Sequence, residues 1–302
     1  MHFPFLKYSK IYFLFSGILI IASIFAIVAY GLNWGVDFAG GSVLRATYTD
    51  PRPDVQELSD KISGLGLSGF SIRFSGENEI IVRMPAVSQD IKDEVSGVFY
   101  NMENIEKGSI SFESVSPVVG GESKARASKA IIFSIVAIVL YVAFAFRRIS
   151  RPVKSWQYGI ATVVALVHDV LIPVGVFAVL GKFLGVEFSI PILTALLTIL
   201  GYSVNDTVVV FDRIRENLIK GAGETFDEIV DKSLNQTLGR SLNTVFTTLL
   251  ALFTIFFFGG QSLTYFSLAL IVGITFGAYS SIFLASTLIA QIYYFNQRKF
   301  RQ

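Results

Sequence analysis

Six stretches of this chain are long and apolar enough to cross a bilayer as helices, and that leaves few alternatives for its fold. They lie near residues 11–32, 128–146, 158–180, 190–211, 239–258 and 263–293. A hydrocarbon core of ~30 Å takes about 20 helical residues. Lys7 and Lys10 precede the first stretch as they would in a secretory signal. Its apolar run, however, exceeds the ~7–15 residues of a signal core. It reads as an uncleaved anchor, with Trp34 at the interface. The sequence therefore describes an integral membrane protein with six spans.

The net charge of +2 hides a strong segregation. Arg147, Arg148, Arg151 and Lys154 lie between spans two and three. Arg213, Arg215, Lys220, Lys232 and Arg240 lie between spans four and five, and Arg298, Lys299 and Arg301 close the chain. The loop after span three holds only Lys182, and Gly259–Ser262 holds no cation. Positive loops stay in the cytoplasm, which predicts both termini inside and residues 34–126 outside. The chain contains no cysteine, so disulfides and thiolate metal sites are excluded. No basic patch with interleaved aromatics points to nucleic acid. No cofactor or metal is expected.

Residues 34–126 read as one α+β domain. Val43–Tyr48 alternates as a strand, Pro53–Leu65 opens with proline and acids as a helix, and Val87–Met102 has helical spacing. Phe70–Phe74 and Ile80–Met84 alternate around Gly76-Glu77-Asn78 as a hairpin, and Ser109–Val115 alternates again. The order βαββαβ is the ferredoxin-like pattern. The domain holds no histidine and no catalytic constellation, so it reads as a binding or lever domain and not as an enzyme. The predicted organisation is residues 1–33, the N-terminus and first span; 34–126, the outer domain; and 127–302, five further spans.

Depth singles out the polar residues inside the spans. Asp206 lies roughly 24 Å along a helix starting at Ile190, and Arg240 roughly 27 Å from the far end of span five at Phe258. The two meet at similar depth, where an ion pair is one of few ways to hold either charge. Asn205, Thr207, Asn243, Thr244 and Thr247 can hydrogen-bond around them. A carboxylate in hydrocarbon is costly, which makes Asp206 the leading functional residue. Arg240 alone reads equally as a snorkelling anchor. His168 and Asp169 sit mid-span on span three; adjacent positions point about 100° apart, so these two are not expected to form one site. His168 reads equally as a donor to a neighbouring carbonyl and as a relay, and Asp169 as interhelix glue and as a functional acid. Gly273 and Gly277 form a small-xxx-small face for close helix packing.

Two glycine-rich joints flank the outer domain. Gly35-Val36-Asp37-Phe38-Ala39-Gly40-Gly41 follows span one, and Ser116-Pro117-Val118-Val119-Gly120-Gly121 precedes span two. The glycines permit positive φ, and the pair reads as two hinges on which the domain swings.

Asp37-Phe38-Ala39-Gly40-Gly41 resembles the Asp-Phe-x-Gly-Gly motif of the bacterial protein-export subunits SecD and SecF. Gly201–Asn217, with Asn205-Asp206-Thr207 and Phe211-Asp212-Arg213, is similar to the SecF signature, and six spans with one outer domain fit SecF. Ser116 stands where the family has glycine. The resemblance implies half of a transporter of the RND superfamily. In that reading the subunit pairs with SecD, joins the SecYEG channel with YajC as a further partner, and acts on unfolded preprotein in the cytoplasmic (inner) membrane. It also implies that the proton-motive force drives late export steps, and that the span-four acid and span-five arginine, here Asp206 and Arg240, move protons. Proton binding at Asp206 would release Arg240 and re-pack the spans. The alternatives are an RND-type exporter of small molecules or lipids, a passive translocon assembly subunit, and an intramembrane aspartyl protease using Asp169 and Asp206. The last lacks the Gly-x-Gly-Asp motif, since the chain reads Ser203-Val204-Asn205-Asp206.

Overall fold

A computed structural model describes residues 3–50, 53–75, 78–146 and 153–299. The Gly76-Glu77 turn, Arg147, Arg148, Arg151 and Arg301, all used above, lie outside the described residues. Six helical stretches are long and apolar enough to span a membrane: Leu6–Tyr30, Pro117–Ala145, Ser155–Leu184, Ile190–Ile219, Phe226–Phe258 and Leu263–Phe295. In chain order these contain α1 (Ser9–Tyr30), α5 (Pro117–Ala145), α6 (Ser155–Leu184), α7 (Ile190–Ile219), α8 (Phe226–Phe258), and α9 (Gln261–Tyr279) joined to α10 (Ser286–Lys299). The short helices α2 (Val36–Ala39), α3 (Val55–Ser63) and α4 (Gln89–Tyr100) belong to the α+β domain.

Several helices run past the hydropathy limits. Span four was expected to end near residue 211, yet α7 continues to Ile219. The added turns are charged, and their charges pair along the helix: Arg213 with Glu216 at 2.8 Å and Lys220 with Glu216 at 2.6 Å. Such i,i+3 and i,i+4 pairs support a helix after its apolar face has ended. Likewise α8 begins at Phe226, well before the apolar run at 239, because Thr225 Oγ1 accepts from the Glu228 N–H as an N-cap. Hydropathy marks the edge of an apolar run and not the end of a helix.

The chain divides into two compact units. The first comprises Met1–Gly31, Lys129–Val179 and Pro191–Gln302. In its core Phe146 stacks on Tyr158 and Phe211 meets both rings edge-on, with Leu166, Leu200, Val210 and Ile289 around them. By contrast α5 leaves Ile132, Phe133, Leu140 and Phe144 exposed, apolar surface suited to lipid or another helix. The small-residue face packs as the sequence suggests. A Cβ on Gly273 would lie 2.1 Å from Ile199 Cδ1 and force that side chain to move, and one on Gly277 would lie a tight 3.3 Å from Ser203 Cβ, so the glycines favour the close approach of α9 to α7.

The second unit comprises Leu32–Ser128 together with Leu180–Ile190. Its strands are β1 (Gly41–Thr47), β2 (Ser71–Ser75), β3 (Glu79–Met84) and β4 (Ser111–Val115), in the order β2-β3-β1-β4 and antiparallel throughout. That is the βαββαβ sheet expected. One face, with Leu44, Ala46, Ile80 and Val82, packs on Leu58 and Ile62 of α3 and Val95 and Phe99 of α4. Strand alternation sends Arg45, Arg73 and Arg83 to the other face. Leu180–Ile190, read above as a plain loop after span three, belongs to this unit.

The two glycine segments meet one another. Gly40 has φ +72°, and a Cβ there would lie 2.5 Å from Pro117 Cα; one on Gly120 would lie 2.7 Å from the Gly40 nitrogen. Two backbones in contact require these glycines, and they form one packed joint. Ser116, where the resemblance had glycine, accepts the Val119 N–H at 3.4 Å ahead of Pro117, the first residue of α5.

Candidate functional site

The two acids inside the helical bundle occupy different surroundings. Asp169 is completely buried on α6. Its Oδ2 accepts from Ser203 Oγ of α7 at 2.5 Å and from Ser280 Oγ at 2.7 Å, and its Oδ1 lies 2.8 Å from His168 Nδ1. One carboxyl group thus joins three helical segments, and both of its oxygens have partners.

The backbone around Asp169 is irregular on two sides. Pro173 lies four residues further along α6 and has no N–H to give the Asp169 carbonyl. Ser280 opens a π-helical turn, Ser280–Ala285, between α9 and α10. Such turns are rare and concentrate at functional sites. Within it Ser281 Oγ bonds Thr207 Oγ1 at 2.7 Å and donates to the Ser203 carbonyl at 3.3 Å. Ser286 Oγ reaches back five residues to the Ser281 carbonyl at 2.9 Å.

His168 corrects the expectation that adjacent positions stay apart. Cβ vectors about 100° apart still let a ring nitrogen close to the backbone meet the next residue's carboxylate. The ring stacks on Tyr279 at 6.1 Å between centroids, and the Tyr279 hydroxyl donates to the Tyr12 carbonyl of α1 at 3.0 Å. His168 Nε2 is buried and has no hydrogen-bond partner among the described residues.

Asp206 is only partly buried. Its Oδ1 accepts from Ser241 Oγ of α8 at 2.6 Å, while its Oδ2 is buried and unpartnered among the described residues. The expected ion pair with Arg240 is not formed; no salt bridge joins the two among the described residues. Asp206 and Ser241 meet at matching heights on α7 and α8, and azimuth decides which side chain makes the contact. Ser241 holds the position on α8 that faces Asp206, and its neighbour Arg240 points about 100° away. Arg240 lines a polar cleft of about 140 Å³ with Val209, Asp212, Arg213, Glu216, Gln236 and Thr237. Asn205 is exposed on α7 and takes no part in either cluster. Tyr202 bonds Thr248 at 3.3 Å one turn from Asp206, a further tie between α7 and α8.

Sequence reasoning missed the serines. Ser203, Ser241 and Ser280 supply every side-chain hydroxyl bonded to the two carboxyl groups. Only their spacing carries a signal: Ser203 and Asp206 are three apart on α7, about 60° around the helix, so one helix serves both acids.

Of the residues marked as joints, Asp37 has a defined contact. Its Oδ2 accepts the Ile190 N–H at 3.0 Å, placing a carboxylate on the first residue of α7. Phe38 is buried edge-on against Trp34 at 5.5 Å. Gly41 has φ +115° at the start of β1.

Residues 94–294 match the family model described as protein export membrane protein SecD/SecF, C-terminal, and residues 25–51 match the SecD/SecF GG motif. The chain is 37% identical over 294 residues to protein translocase subunit SecF of Thermobaculum terrenum, covering 92% of this chain and 90% of that protein. It is 36% identical over 285 residues to the Haemophilus influenzae subunit of that name, covering 93% and 83%. A crystal structure of SecDF from Thermus thermophilus, a translocon-associated membrane protein, superposes with a TM-score of 0.83 at 33% identity. The match covers 97% of this chain and spans 39% of that longer one.

Proposed function

This multi-pass chain belongs to the SecF family of protein translocase subunits, and on that premise we propose that it drives late steps of preprotein export with the proton-motive force. It does so paired with SecD beside the SecYEG channel, in the cytoplasmic membrane, with both termini inside and the α+β domain outside. YajC is a further partner, the substrate is unfolded preprotein, and the chain itself is no enzyme.

The observation that carries the proposal is the orphaned Asp206 Oδ2. A buried polar atom without a partner costs free energy, and a carboxyl group at membrane depth relieves that cost by taking up a proton. Ser241 holds the other oxygen and fixes the carboxyl while leaving Oδ2 open. Arg240, exposed beside it and lining the polar cleft, supports a path for protons on that side. Proton arrival neutralises Asp206, weakens its hold on Ser241 and lets α7 move against α8. A potential of 100 mV supplies about 2.3 kcal/mol per charge, enough to bias a two-state packing.

A protease reading is disfavoured by the partners of the two acids. A dyad that shares a proton needs its carboxyls in contact. Here Asp169 is bound by Ser203 and Ser280, and Asp206 by Ser241 of a different helix.

The test is export of a secretory protein into inverted vesicles once translocation has begun, with and without a proton gradient. Wild type, Asp206→Asn and Arg240→Met are compared in complexes of equal SecD content. Loss of the gradient-dependent part in both variants is expected; three equal responses would instead make the subunit a passive assembly element.

A further inference from the structure

The loop between α6 and α7 is held against the arginine face of the sheet by one carboxylate. Glu187 retains only 13% of its side-chain exposure. Its Oε1 lies 2.8 Å from Arg83 Nε on β3, and its Oε2 lies 3.8 Å from Arg45 Nη2 on β1. Arg83 also donates through Nη1 to Asn33 Oδ1 at 3.1 Å and through Nη2 to the Trp34 carbonyl at 2.8 Å. Arg45 completes a second pair with Glu113 on β4 at 3.1 Å.

The backbone repeats the attachment. Phe188 N–H donates to the Asn33 carbonyl at 2.7 Å, and Gly35 N–H donates to the Phe188 carbonyl at 2.9 Å. Asn33 Nδ2 donates to the carbonyls of Gly185 at 2.9 Å and Val186 at 3.2 Å. Gly185, with φ +71°, leaves room for Arg73 Nη1 at 3.0 Å from where its Cβ would stand. Asp37 then caps the first residue of α7. Asp169 and Asp206 reside on α6 and α7, the two helices this loop joins.

We propose that Glu187 is a positioning residue for proton-driven export: it clasps the α6–α7 loop to β1 and β3, making that loop the link through which the acid-bearing helices act on the outer domain. The glycine joint packs the segment after α1 on the start of α5 and not on α6 or α7. A loop held by a bridging carboxylate, two arginines and four main-chain hydrogen-bond acceptors moves as part of the sheet. Among the described residues of the loop, Glu187 is the one whose side chain contacts two strands at once; Asn33 and Asp37 contact main chain of the loop or the Arg83 fork. This inference rests on the proton-driven reading of Asp206.

The test uses SecD-containing complexes in inverted vesicles and separates gradient-dependent from gradient-independent export. Glu187→Gln is expected to lower the gradient-dependent part several-fold and leave the rest unchanged. Glu187→Arg is expected to abolish it, since it sets like charge against Arg45 and Arg83, and Glu187→Asp is expected to keep more of it than Glu187→Gln, since the carboxylate survives on a shorter side chain. A structural defect alone would lower both parts of export and would not follow the charge at position 187. Full gradient drive in Glu187→Gln or Glu187→Arg in assembled complexes overturns the clasp. Asp206→Asn is assayed alongside. If it retains full drive, the proton reading fails; if it loses drive while the Glu187 variants keep theirs, only the clasp fails.

Discussion

Asp169 and Asp206 are the same residue type on neighbouring helices, yet their surroundings are opposite in kind. Asp169 is sealed in, receives two hydroxyl donors, and has its remaining oxygen on His168. Asp206 is half-buried, has one donor and keeps one oxygen open. A satisfied buried group rigidifies, because any motion must break partners that water cannot replace. A half-satisfied group is poised, because a proton changes what its open oxygen needs. The contrast fits Asp169 to holding α6, α7 and the π turn together, and Asp206 to the proton exchange proposed above.

The sharpest way to break that comparison is the pair of isosteric amides. Asp206→Asn is expected to eliminate gradient-dependent export while SecD association persists, measured by the two-condition vesicle assay. Asp169→Asn is expected to keep a measurable part of that drive, since the amide oxygen still accepts from Ser203 or Ser280. Equal losses would erase the distinction. Next in size is Asp169→Leu, which strands the Ser203 hydroxyl and His168 and leaves Ser280 only the Gly277 carbonyl. Each buried group left unsatisfied costs about 1–3 kcal/mol, read as a lowered thermal midpoint of the detergent-solubilised complex. Asp206→Leu is expected to cost far less stability, because only Ser241 loses its acceptor.

The sequence discloses these two regions unequally, for physical reasons. Apolar runs locate six helices because a bilayer requires them, and alternation locates β1–β4 because one sheet face must be buried. Asp206 is legible as a carboxylate in a hydrophobic run. Its partner is not: rise along a helix gives depth, whereas contact also depends on azimuth, and that is how Ser241 and not Arg240 comes to face it. Serines are small and common in membrane helices, so Ser203 and Ser280 look like packing residues until the helices are assembled. The π turn depends on tertiary contacts and leaves no local sign in Ser280–Ala285. Glu187 is similarly invisible, since a single acid in a short loop resembles a solvated charge until Arg45 and Arg83 appear opposite it.

The smallest effects sharpen the comparison most, because they change one hydroxyl on each acid. An interhelix hydrogen bond in a membrane contributes about 0.6 kcal/mol on average and at most ~1.7, so Ser280→Ala and Ser241→Ala are expected to lower stability by similar, modest amounts. Their functional consequences are expected to diverge. Ser280→Ala leaves Asp169 Oδ2 with Ser203 and leaves Asp206 untouched, so gradient-dependent export stays near wild type. Ser241→Ala frees both oxygens of Asp206 and removes the contact by which α8 senses its charge, so the same drive falls several-fold. Thermal midpoints measured beside the vesicle assay separate the two quantities. Matched stability losses with unmatched losses of drive place the working contact between α7 and α8; matched losses of both would mean the two acids act as one network through Ser203 and Asp206 on α7.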